Sequence, residues 1–114
     1  MFGWITIRGE GLGKKLGYPT ANLECSEKEV KLKKGIYAAH ANLDNQTYKA
    51  GLVIRFSPFK VEVYLLDYTG DDFYGSYLEV TPIQKVAELE TYESDDELRD
   101  KIENDMKVVA QVFS

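Results

Sequence analysis

The sequence is poor in cysteine, proline and histidine, with one, three and one of them in 114 residues. Because Cys25 has no second cysteine to pair with, a disulfide scaffold is excluded, and no zinc-type Cys/His cluster is present. No hydrophobic run reaches the roughly 18 residues of a membrane span, and the first residues do not form a basic segment followed by an apolar one. We therefore expect a reduced, cytoplasmic protein that neither enters a membrane nor follows the secretory route.

The length and composition suit one compact core. A chain of 114 residues with 44% hydrophobic residues buries enough surface to fold without disulfides or a structural metal. We expect one domain over residues 1–114, which leaves no room for a second catalytic unit.

The net charge of −5 is unevenly distributed. Residues 88–105 hold nine carboxylates against Arg99 and Lys101, whereas residues 1–34 hold seven basic against four acidic side chains. The acidic segment is typical of a solvated face, and the positive first third is able to receive a small anion. The overall acidity, without a basic stripe interleaved with aromatics, argues against binding of nucleic acid.

Apolar alternation and turn residues predict strands up to about residue 90. Phe2–Ile7 is predicted as the first strand, and the polar segment 26–34 as a surface loop. Segments 35–43 and 46–54 flank the turn pair Asp44-Asn45, which predicts a hairpin.

The segment 60–68 alternates with a period of two. This period places Glu62 on the strand face opposite Val61 and Val63. A carboxylate in such a strand is either solvated on an outer face or held inside for a functional reason, because burying an unpaired charge is costly.

The last segment changes to a helical period. Its apolar residues recur every three or four positions, and they are Leu98, Ile102, Met106, Val109 and Phe113. Ser94 followed by Glu97 has the spacing of a capping box. We predict a helix over about 95–113, packed outside a small antiparallel barrel or sandwich.

Glycines are concentrated in residues 9–17, which read GEGLGKKLG. The pattern fits neither a Walker A loop nor a dinucleotide fingerprint, and Tyr18-Pro19 disfavours a helix directly after it. Glycines let backbone amides approach an anion, and a neighbouring lysine adds charge. The segment is therefore either an ordinary turn or a phosphate-binding loop.

The loop runs into Pro19-Thr20-Ala21-Asn22. In extended chain the oxygens of Thr20 and Asn22 point to one side, where they suit a Mg²⁺ ion that is shared with phosphates.

The string GLGKKLGYPTAN over residues 11–22 resembles the signature of the riboflavin kinases, including the kinase half of the bifunctional FAD synthetases. The resemblance continues at 61–68, 72–75 and 92–94. It implies a mainly β fold, a six-stranded antiparallel Greek-key barrel with one C-terminal helix packed outside. It also implies transfer of the ATP γ-phosphate to the 5′-hydroxyl of riboflavin, giving FMN and ADP, with Mg²⁺, Mn²⁺ or Zn²⁺ as the cation and a monomeric enzyme.

The resemblance also implies roles for individual residues. Glu62 corresponds to the base that takes the hydroxyl proton, and Thr20 and Asn22 correspond to the metal-binding pair. The residues implied at the nucleotide are Gly9, Gly11, Gly13, Lys14, Lys15, Gly17 and Pro19. Those implied at the flavin are Asp67, Phe73, Tyr74 and Tyr92, although aromatic residues of this kind are often core.

Two features depart from the family pattern. Residues 52–61 form a short stretch where bacterial members have a longer loop, and Ala87 and Leu89 stand where the family often has an R-x-E string. Two other functions are therefore considered: a non-catalytic barrel that binds flavin or nucleotide, and a structural barrel that binds a partner.

Overall fold

The computed structural model describes residues 2–7, 20–23, 25, 27–56, 59–68, 75–88 and 94–113. Within these residues the chain forms six strands followed by a long C-terminal helix, with a short helix between the second and third strands. The elements are β1 (Phe2–Ile7), β2 (Thr20–Leu23), α1 (Glu27–Val30), β3 (Gly35–Leu43), β4 (Gln46–Arg55), β5 (Lys60–Leu65), β6 (Tyr77–Ala87) and α2 (Asp95–Val112).

The six strands form a closed antiparallel barrel in the order β1-β2-β5-β4-β3-β6. β6 pairs with β1 as well as with β3, which closes the ring. Because β3, β4 and β5 are consecutive neighbours and β6 returns beside β3, the connection is a Greek key. The predicted fold class is confirmed.

The β3–β4 hairpin turns at Asp44 and Asn45. Both residues have left-handed backbone angles, with φ of 52° and 67°. Two consecutive residues of this kind give a two-residue turn whose twist matches that of the flanking strands. The turn therefore sets a register that runs without interruption from Leu43–Gln46 to Gly35–Ile54.

Apolar side chains fill the barrel and also cover part of its outer surface. The interior core contains, among others, Leu52, Val61, Val63 and Leu78. A second apolar layer joins outward-facing residues of the barrel to α2, and its buried members are Ile36, Ala38, Val53, Tyr64, Ile102, Met106 and Val109. The barrel thus presents one face that is covered by the helix.

The long helix is held at its start and along one stripe. The Ser94 Oγ accepts a hydrogen bond from the Glu97 backbone N–H at 3.2 Å, as the sequence spacing predicts. Acidic residues in the first turn are favoured there by the helix dipole. α2 ends at Val112 with Phe113 as the C-cap, one residue before the predicted end.

Close packing of α2 depends on Gly51 in β4. A methyl group at Gly51 would collide with the Sδ and Cε atoms of Met106. Any larger residue at this position would force the buried Met106 side chain to shift.

The segment 26–34 is not entirely the surface loop that its polarity predicts. Glu27–Val30 forms a single helical turn, and Val30 is buried against the barrel core. The Tyr37 hydroxyl donates a hydrogen bond to the Lys33 carbonyl at 2.8 Å, which fixes the chain beyond the turn. Val30 and the partly buried Leu32 thus draw this charged segment onto the core. No helix in the described part of the chain is long and apolar enough to cross a membrane.

Candidate active site

The two faces of β5 differ in chemistry. Val61, Val63 and Leu65 point into the barrel, as the alternation predicts, whereas Glu62 and Tyr64 lie on the opposite, outer face. Glu62 is nevertheless only 2% exposed. The possibility of a solvated outer carboxylate is therefore excluded, and the charge needs partners.

Both carboxylate oxygens of Glu62 have a neighbouring donor. Arg55 Nη1 lies 3.0 Å from Oε1 as a salt bridge, and the Tyr64 hydroxyl lies 3.4 Å from Oε2. The Arg55 side chain is 21% exposed, so the guanidinium reaches from the surface down to the buried acid. Removing one partner of a buried pair of this kind is strongly destabilising, because the other charge is left without compensation.

The phenol of Tyr64 shares this environment. Burial raises the pKa of Tyr64 far above its ordinary value, the Glu62 carboxylate raises it further, and the Arg55 guanidinium opposes the rise. Tyr64 therefore stays protonated over the whole physiological range. Its hydroxyl is a hydrogen-bond donor to Glu62.

Asn22 of β2 lies directly beside Glu62. The two residues are Cα partners in the β2–β5 pairing, and Thr20 is the partner of Tyr64 in the same register. The Asn22 Oδ1 atom is buried and has no hydrogen-bond partner within the described residues. A buried oxygen without a donor is costly, and a bound water or a cation would satisfy it.

The free amide oxygen fits a divalent cation. Amide and hydroxyl oxygens are the hard donors that Mg²⁺ accepts when phosphates and water complete its shell. Among the described residues, no group of three or more His, Cys, Asp or Glu side chains could hold a metal by itself. The Asn22 oxygen therefore fits a cation that takes most of its ligands from elsewhere.

Asp67 lies just beyond the end of β5. Its Oδ1 atom accepts a hydrogen bond from the Lys49 backbone N–H at 3.0 Å, beside a backbone bond from Leu66 to Lys49 at 2.9 Å. This carboxylate fastens the end of β5 to β4. Its implied flavin contact remains a prediction.

The remaining predicted positions lie outside the described residues, and their roles remain predictions. They are Gly9, Gly11, Gly13, Lys14, Lys15, Gly17, Pro19, Phe73, Tyr74 and Tyr92.

Arg55 and Tyr64 were not singled out as site residues from the sequence. Arg55 is the one charged residue between Gly51 and Phe59, a signal that it has a specific partner. Its partner follows only from the β4–β5 register, in which Val53 faces Glu62 and Arg55 lies two positions further along. We call Asn22, Arg55, Glu62 and Tyr64 the Glu62 cluster.

A second polar group lies on the outer surface of β3, β4 and β6. It lines an open groove of about 270 Å³, and its residues are His40, Asn42, Thr47, Glu79 and Thr81. We call it the His40 groove. Asn42 Nδ2 donates to Thr47 Oγ1 at 3.4 Å, and the His40 ring contacts Phe113 with centroids 5.3 Å apart.

The fold and the Glu62 cluster together define a small Greek-key barrel with a buried carboxylate and a free amide oxygen on adjacent strands. The family model described as "Flavokinase: Riboflavin kinase" matches residues 4–113. The chain therefore belongs to the riboflavin kinase family.

Curated relatives agree with this family. The chain is 30% identical over 114 residues to the RNA-binding riboflavin kinase RibR of Bacillus subtilis, covering 94% of this chain and 48% of that protein. It is 31% identical over 117 residues to a bifunctional riboflavin kinase/FMN adenylyltransferase of Buchnera aphidicola, covering 95% of this chain and 37% of the relative. The chain thus spans less than half the length of these relatives.

Two solved structures share the fold. A macrolide-efflux protein from Streptococcus pneumoniae superposes with a TM-score of 0.77 at 24% identity, covering 95% of this chain and 37% of that one. The riboflavin kinase from Trypanosoma brucei gives a TM-score of 0.65 at 20% identity, covering 96% and 74%. At these identities the likeness concerns the fold alone.

Proposed function

We propose that the chain is a riboflavin kinase, which transfers the γ-phosphate of ATP to the 5′-hydroxyl of riboflavin and releases FMN and ADP. Family membership supports the reaction class. The observation that carries the proposal is the pairing of Asn22 with Glu62, because it sets a free metal-type oxygen next to a buried carboxylate.

In this proposal Glu62 is the catalytic base. The ribityl O–H bond breaks as its proton passes to the carboxylate, the oxygen forms a bond to the γ-phosphorus, and the bond from that phosphorus to ADP breaks. Phosphoryl transfer needs positioning, charge stabilisation and one proton acceptor rather than covalent help. A carboxylate has about four lone-pair sites, so the donors Arg55 and Tyr64 leave lone pairs free to accept the hydroxyl proton.

Asn22, with Thr20, would hold the divalent cation, for which Mg²⁺ is the first candidate and Mn²⁺ or Zn²⁺ are alternatives. When bound, such an ion supplies positive charge to the phosphate oxygens. The glycine and lysine residues of 9–17 would take the remaining phosphate charge.

The partners follow from the same proposal. Riboflavin would contact Asp67, Phe73, Tyr74 and Tyr92, and ATP would be the donor. We also propose that the protein acts as a monomer and without nucleic acid.

The direct test is FMN formation by the purified chain with riboflavin and Mg·ATP, separated by chromatography. Parallel reactions replace ATP by CTP and Mg²⁺ by Mn²⁺ or Zn²⁺, which identifies the donor and the cation. We expect FMN with ATP and loss of activity with a chelator.

Folded protein that produces no FMN under any of these conditions would overturn the proposal. Calorimetry then separates the other two functions. Binding of flavin or nucleotide without turnover supports a binding module, and binding of neither supports a partner-binding barrel.

A further inference from the structure

We propose that Arg55 is a positioning residue for the reaction, fixing the Glu62 carboxylate in its productive orientation together with Tyr64. This inference rests on the proposed function, because it assigns the surroundings of the same base.

Arg55 is well placed to hold a carboxylate still. It ends β4, where its Cα partner is Lys60, and its side chain reaches back along the outer face to Glu62 Oε1 at 3.0 Å. The neighbouring Val53 and Ile54 are fully buried, which anchors the strand from which Arg55 extends. A planar guanidinium holds its hydrogen-bond geometry better than the flexible ammonium of lysine.

Tyr64 restrains the other oxygen. Its ring is packed in the layer beneath α2, with Ile102 and Met106, and its hydroxyl lies 3.4 Å from Glu62 Oε2. The last torsion of a glutamate side chain is broad when nothing contacts its oxygens. One donor on each oxygen fixes the plane of the carboxylate, and the salt bridge is the stronger of the two restraints.

The consequence is an effect on the chemical step rather than on nucleotide binding. A base that rotates freely is aligned with the hydroxyl for a smaller fraction of the time, and misplacement by about 1 Å can cost about 100-fold in rate. Because Arg55 and Tyr64 act through Glu62, their loss should lower kcat and leave the KM for ATP nearly unchanged.

The test uses two mild variants, each with a matched control. Arg55→Lys keeps the positive charge but loses the planar fork, and its control is Arg99→Lys in the exposed Arg99–Asp96 pair of α2. Tyr64→Phe removes only the hydroxyl, and its control is Tyr37→Phe, which makes the same change at a buried tyrosine bonded to Lys33. We measure FMN formation by each variant, with the folded fraction taken from circular dichroism at the assay temperature.

For the folded protein we expect kcat to fall roughly tenfold in Arg55→Lys and about threefold in Tyr64→Phe, with the KM for ATP within about twofold, a split that marks loss of transition-state alignment. Both controls should keep the wild-type kcat. A kcat per folded molecule that matches the controls, or a raised KM for ATP at unchanged kcat, would overturn the positioning role. A wild-type chain that forms no FMN would instead refute the proposed function itself.

Discussion

The Glu62 cluster and the His40 groove lie on the outer surface of one barrel, yet they differ in burial and in the partners of their polar groups. Glu62 is buried with a donor at each oxygen, whereas His40 and Thr81 of the groove are exposed. Outward-facing polar residues are the ordinary product of strand alternation, and solvation suffices for them. A buried charge needs partners held in place by the fold, so the Glu62 cluster is the stronger candidate for a functional site.

The largest difference in stability between variants of the two regions is expected when Arg55 loses its charge. Arg55→Met leaves Glu62 buried without its cation, and we expect the free energy of unfolding to fall by about 3–5 kcal/mol, as for other broken buried pairs. Glu79→Gln in the groove should change it by no more than about 0.5 kcal/mol. Urea unfolding of both variants measures the difference.

The double variant Arg55→Met with Glu62→Gln provides the control. Removing both charges should restore most of the lost stability, because no ion is then left unpaired. Equal destabilisation of the single and double variants would show that Arg55 acts by packing alone.

Asn22 of the Glu62 cluster and Asn42 of the His40 groove provide the next comparison. Asn22→Ala removes the buried free oxygen, and we expect the Mg²⁺ concentration for half-maximal FMN formation to rise by at least roughly 10-fold, because losing even a residue that only supports a metal ligand costs about 10–100-fold. Asn42→Ala in the groove should leave the Mg²⁺ dependence unchanged. Identical metal titrations for the two variants would remove Asn22 from the cation site.

The packing of α2 against β4, in the apolar layer beside Glu62, can be disturbed by a substitution at Gly51. Gly51→Ala places a methyl group against Met106, and we expect a loss of about 1–3 kcal/mol, typical of overpacking. Combining it with Met106→Ala, which provides space, should cost less than the sum of the two single changes. Additive losses in thermal unfolding would contradict this close contact.

The smallest expected effect concerns the start of the same helix. Ser94→Ala removes the acceptor of the Glu97 N–H, and about 1 kcal/mol of stability should be lost. Ser94→Asp, which keeps an acceptor, should remain close to wild type. Thermal melts in which Ser94→Ala equals Ser94→Asp would show that the cap contributes nothing.

Local sequence patterns predict much of the fold, because turns, strand alternation and helical stripes depend on residues that are close in the sequence. The turn at Asp44 and Asn45, the alternation through Glu62 and the apolar stripe of α2 all follow from spacing in the sequence. The helical turn Glu27–Val30 does not follow from spacing, because packing of Val30 and Leu32 on the core overrides the polarity of the segment.

The site is less accessible to sequence reasoning because it is assembled by long-range pairing. Asn22 meets Glu62 only since β2 pairs with β5, across two strands that intervene in the chain. The Arg55–Glu62 bridge depends likewise on the register of β4 and β5. The resemblance to riboflavin kinases supplies candidate roles, while the partners of each residue come from the fold.

The most direct measurement compares kcat for FMN formation in Glu62→Gln and Glu79→Gln, the same change in the two regions. We expect Glu62→Gln to lower kcat by about 10²–10⁴-fold, the contribution typical of a general base, with ATP affinity by calorimetry nearly unchanged. Glu79→Gln should retain the wild-type rate. Two variants with equal, near wild-type rates would contradict the assignment of Glu62 as the catalytic base.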